Sequence, residues 1–99
     1  MAISKQESAR KRIMRGHILY MLYVSQETPM MLSTIELCLL PENPRIGTEM
    51  VSHVNYLVDR GYIMVVESMG AMVRITSTGQ DVVEGTIADS GIIVPHERP

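Results

Sequence analysis

Residues 48–79, TEMVSHVNYLVDRGYIMVVESMGAMVRITSTG, decide how this chain is to be read. At 100° per residue, Met50, Val54, Leu57 and Val58 share one helix face, with Val51 at its margin. Thr48, Ser52, Asn55 and Asp59 fall opposite, flanked by Glu49 and Tyr56, and His53 takes a boundary position on the flank. The spacing predicts a helix from about Gly47 or Thr48 to Arg60. Gly61 closes it in the left-handed conformation, which costs little without a Cβ. Residues 62–66 and 71–76 are rich in β-formers and are separated by Glu67, Ser68, Met69 and Gly70, the pattern of a hairpin. Along the second strand Val73 and Ile75 face one way, and Met72, Arg74 and Thr76 the other. Ser77, Thr78 and Gly79 then precede a short helix from Gln80 to Glu84, ended by Gly85.

Upstream, Ser33 and Glu36 have the S-x-x-E spacing of a capping box and predict a short helix over 34–40. Its apolar residues are Ile35, Leu37, Cys38, Leu39 and Leu40, and Pro41 and Pro44 bracket the turn that follows. Met30, Met31 and Leu32 predict a brief strand. Ser4 and Glu7 repeat the capping spacing at the start of a helix over 5–24. In it Ile13, Met14, His17, Ile18, Met21 and Leu22 recur at three- and four-residue steps. Residues 1–85 thus read as one α+β, mainly helical domain. Residues 86–99 read as a tail, partly flexible or in a dimer interface. Within it Ile92, Ile93 and Val94 add an edge strand or pack on a partner, and 95–99 fray.

The chain has 99 residues, enough for one domain with a modest core. It has no Phe or Trp, so its nine Met residues fill gaps that aromatic rings would otherwise occupy. Cys38 is the sole cysteine; it excludes an internal disulfide and reads as a small buried hydrophobe. No secretory signal or membrane-length apolar run is visible, so a soluble protein of the reducing cytosol is expected. The net charge of −2 is unevenly spread. Residues 1–15 carry +4, with Lys5, Arg10, Lys11, Arg12 and Arg15 against Glu7 alone, and the remainder carries −6.

The order of elements resembles the winged helix-turn-helix family. Val54, Leu57, Gly61, Tyr62 and Ile63 look like the end of a recognition helix turning into a wing strand. Val73 to Gly79 is similar to the second wing strand running into the last helix. Regulators of the arsenic-repressor-like and multiple-antibiotic-resistance-regulator-like types share such patterns. The ending through Ile87, Asp89, Gly91 and Val94 resembles small winged-helix proteins of Mu-like phages and prophages.

The resemblance implies a DNA-binding transcriptional regulator whose third helix enters the major groove while the wing touches the backbone. Thr48, Ser52 and Asn55 would then face bases, with Glu49 and Tyr56 beside them, since Asn bonds adenine bidentately and Glu accepts from cytosine. Arg45 and Arg74 would meet phosphates, and Arg10, Lys11 and Arg12 would lie along the phosphates of the duplex. A homodimer would double these cations. The competing reading is a protein-interaction or dimerisation module, suited by the acidic body and the Met64, Met69 and Met72 wing. No spaced acid–base pair, phosphate loop or metal motif appears, so no enzyme, cofactor or metal site is expected.

Overall fold

A run of 20 residues without Pro, α1 (Lys5–Val24), opens the fold. The computed structural model describes residues 5–26, 28–68 and 70–95. After α1 come β1 (Met30–Met31), α2 (Leu32–Leu39), α3 (Ile46–Asp59), β2 (Ile63–Ser68), β3 (Gly70–Ile75) and α4 (Ser77–Val83). The fold is therefore α+β and mainly helical, with four helices and a three-stranded antiparallel sheet among the described residues. No helix of these residues is long and apolar enough to cross a membrane.

Strand order is β1-β3-β2. The hairpin pairs Ile63 with Ile75 and Val65 with Val73, and β1 adds Met30 opposite Val73. The expected alternation holds, since Val73 and Ile75 are buried inward. Around them Ile18, Leu19 and Leu22 of α1, Ile35 of α2, and Ile46 and Leu57 of α3 are wholly removed from solvent. Each such side chain contributes roughly 1.5–3 kcal/mol relative to exposure. On α1 the buried stripe is rotated from the expected one: Leu19 enters the core and Ile13 lies at the exposed edge.

Two glycines do conformational work. Gly61 takes φ +77° after α3, as its position predicted, and Gly85 takes φ +87° after α4. Thr76 caps α4 by accepting the Gly79 N–H at 3.1 Å, while its own hydroxyl donates to the Gly61 carbonyl. One threonine thus joins the end of α3 to the start of α4.

Four local expectations are corrected. The capping box at Ser33 is absent: α2 starts at Leu32, its N-cap is Met31, and no side chain caps it. Pairing of Met31 with Met72 holds the chain extended up to the helix, so the sheet sets where α2 begins. Cys38 is exposed, because an eight-residue helix against one layer buries only the face carrying Ile35 and Leu39. His53 is buried at 1% exposure instead of lying on a boundary, drawn in with Glu49 one turn earlier. Residues 92–94 form no strand; Ile92 enters this chain's own core. The Ser4 half of the first capping box, Met69 of the hairpin, and positions 96–99 lie outside the described residues.

Beyond Gly85 the chain doubles back as far as Pro95. Ile93 donates its N–H to the Arg12 carbonyl at 3.0 Å, and Arg15 donates to the Gly91 carbonyl at 3.0 Å. A Cβ at Gly16 would collide with the Ile93 carbonyl, so this mid-helix glycine is where the tail's backbone meets α1. Truncation after Gly85 would remove part of the core.

Candidate nucleic-acid interface

The outer face of α3 is built from the residues its helical spacing set aside. Thr48, Ser52, Asn55 and Asp59 are all exposed, and Val51 among them is 70% exposed. Arg45 stands exposed at the head of this face as the N-cap of α3. Thr48 donates its hydroxyl to the Arg45 carbonyl at 2.9 Å, which ties the first turn to the preceding loop. Arg74 is half-buried on β3, on the sheet face away from the core and opposite Met64 of β2.

The other candidates point elsewhere. Glu49 turns inward, and Arg10 of α1 grips it with two parallel hydrogen bonds of 2.9 and 2.7 Å. The buried Asn43 donates to the same carboxylate at 3.1 Å and accepts the Arg45 N–H at 3.1 Å. His53 Nε2 lies 3.4 Å from Glu49 Oε1. Arg10 also donates to Glu7 at 2.7 Å, and Arg45 donates to the same Glu7 oxygen at 3.0 Å. Two arginines and two glutamates therefore cancel where α1 crosses the head of α3. Lys11 and Arg12 are half-buried on α1, and Arg12 Nε bonds the Ser8 carbonyl at 3.3 Å.

Tyr56 is likewise engaged within the molecule. Its hydroxyl donates to Asp89 at 2.7 Å, and the guanidinium carbons of Arg15 and Arg60 lie 4.1 and 3.8 Å from its ring centroid. Asp89 also accepts from the Tyr62 hydroxyl at 2.6 Å, the Gly91 N–H at 2.8 Å and Arg60 Nε at 3.2 Å. Asp89, Arg60 and Arg15 did not emerge as a site from the sequence, since nothing in local spacing relates a tail aspartate to tyrosines 27 and 33 residues earlier.

These contacts set the charge states. Hydrogen bonding from Arg10 outweighs burial and holds the Glu49 carboxyl down at about 2. Burial alone would raise Asp89; the donors Tyr62, Tyr56 and Gly91, with Arg60, together leave it below its usual value. Burial lowers His53 against the pull of Glu49, which favours the neutral ring. All three shifts have the same sign for stability. A group whose folded pKa is depressed stabilises above its unfolded pKa and loses that contribution as pH falls through the folded value. Glu49 is thus expected to lose its contribution between about 4.5 and about 2. Glu49→Gln should flatten stability against pH across that acid window, as followed by urea unfolding. An unchanged slope would mean that the Arg10 clamp adds nothing to folding.

Among the described residues, no group of three or more His, Cys, Asp or Glu is placed to hold a metal ion. No protein-family model matches the sequence, and neither the curated proteins nor the solved structures hold a match to it.

Proposed function

We propose that this protein is a winged helix-turn-helix DNA-binding protein of the regulatory kind, with α2 and α3 as the helix-turn-helix and β2–β3 as the wing. The observation that carries this reading is the outer face of α3, where Thr48, Ser52 and Asn55 stand exposed. Asn55 has the amide that pairs with adenine, the two hydroxyls accept either base type, and Val51 suits a thymine methyl. Arg74 on the wing supplies a cation for the backbone. A homodimer would present two such helices to successive half-sites.

Fluorescence anisotropy with mixed-sequence duplexes at low salt tests the reading, and absence of binding there overturns it. With a selected site, Ser52→Ala and Asn55→Ala are each expected to cost about 1–3 kcal/mol of base discrimination. Equal losses on specific and random duplexes would show that these residues do not read sequence.

A second reading is favoured by the exposed apolar side chains of Leu37 on α2 and Val51 on α3, at 69% and 70% exposure. A protein partner covering these two helices would use them as anchors. Such a partner leaves DNA affinity absent at every salt concentration.

A further inference from the structure

The meeting of Glu7, Arg10 and Arg45 has a geometry beyond that of a surface ion pair. Arg10 Nη2 and Arg45 Nη2 converge on one carboxylate oxygen, Glu7 Oε2, at 2.7 and 3.0 Å. The two arginines come from distant parts of the chain, one on α1 and one at the N-cap of α3. Two guanidinium groups aimed at a single anionic oxygen are the arrangement that binds phosphate oxygens. The positive end of the α3 dipole lies beside it and favours an anion there. Arg10 is fixed from behind by its bidentate grip on Glu49, so it cannot swing away when its front partner changes. The front is open: Arg45 and Glu7 side chains are 61% and 32% exposed.

We infer that Arg10 and Arg45 form a phosphate-binding fork, and that the Glu7 carboxylate occupies it until a backbone phosphate of duplex DNA displaces it. The inference rests on the reading of α3 as the DNA-facing helix and names the contact that would seat the head of that helix on the backbone. Glu7 and a phosphodiester carry the same single negative charge at neutral pH. Displacement is therefore an exchange of one anion for another at the same pair of cations, of which Arg10 is held by Glu49. Such an exchange yields little net affinity, and it makes the fork's contribution subject to whatever holds Glu7 elsewhere. The local cancellation of charge then has a role: it weakens binding to arbitrary duplexes, so that contacts from Ser52 and Asn55 weigh more.

Glu7→Gln tests this, because it removes the competing charge while keeping length and shape at an accessible position. The variant is expected to bind mixed-sequence duplex about tenfold more tightly at low salt. Its slope of log K against log salt should steepen by about one unit, the equivalent of one further phosphate contact. Adding Arg45→Ala to Glu7→Gln should abolish both gains. Equal affinity and equal slope for wild type and Glu7→Gln would overturn the fork, even with DNA binding established. A second arm separates the fork from the DNA reading. Pyrophosphate is titrated into both proteins while the arginine side-chain resonances are followed by NMR. Tighter pyrophosphate binding by Glu7→Gln, lost with Arg45→Ala, sustains the fork even where duplex DNA does not bind at all. No difference between the two proteins overturns it.

Discussion

Asp89→Ala is expected to lower the unfolding free energy by about 3 kcal/mol, the upper range for removing one partner of a buried charged network. In a domain of this size that corresponds to a fall in Tm of roughly 12–24 °C. The size of the effect follows from what the carboxylate holds. Its side chain is 10% exposed and receives Tyr56, Tyr62, Arg60 and the Gly91 N–H. Removing it strands two phenol hydroxyls, one of which, on Tyr62, the same contact pushes up to about 12 after burial has raised it. It also leaves Arg60 without its counter-ion beside Arg15, both of them against the Tyr56 ring. Tyr56→Phe and Tyr62→Phe should each cost about 1 kcal/mol, since each removes one hydrogen bond and leaves the acceptor other donors. Thermal melts on the three variants check the order. A loss below 1 kcal/mol for Asp89→Ala would mean that water replaces the carboxylate freely and that the tail is not held at this point.

Gly16→Ala should destabilise by about 2 kcal/mol, although alanine in a helix interior normally gains up to about 1 kcal/mol over glycine. The reversal comes from the Ile93 carbonyl, which a Cβ at Gly16 would strike. The obstacle is backbone on both sides, so no side-chain rotation relieves it. The tail must lift, and it takes with it the buried Ile92 side chain, the Ile93 N–H to Arg12 bond and the Arg15 bond to Gly91. Limited proteolysis with Tm measurement distinguishes the outcomes: cleavage in 87–95 should appear in the variant well below its melting temperature. Gly47→Ala is the control, because its Cβ would meet only the Glu36 side chain at 3.3 Å, which can turn aside. A stabilised Gly16→Ala would show that the tail's backbone does not press against α1 at this position.

These two positions also mark where the sequence stopped being legible. The bounds of α1, the closure of α3 at Gly61 and the alternation of Val73 and Ile75 all follow from rules that act over one to seven residues. A reader of the chain can apply those rules without knowing what lies across the core. The start of α2 departs from the local capping signal at Ser33 because a tertiary pairing, Met31 with Met72, overrides it. Angle alone places Glu49 and Tyr56 beside the outer face of α3. The helical wheel is right about their direction, but it cannot show that Arg10 and Asp89 wait there. Thr48, Ser52 and Asn55 stay exposed because none of the other described residues covers their side of α3. The exposure of Thr48, Ser52 and Asn55 is thus legible in the sequence, and the charge balance around them is not.

The return of the tail onto α1 has a consequence in time. Arg15 and its acceptor Gly91 are 76 residues apart in the chain. A ribosome adding about 5–20 residues per second makes the second of them about 4–15 s after the first. Throughout that interval the nascent helix carries a bare glycine notch at Gly16 and a guanidinium with no carbonyl to bind. Until residues 91–93 have been made, α1 cannot complete the packing that Arg15 and Gly16 make with them.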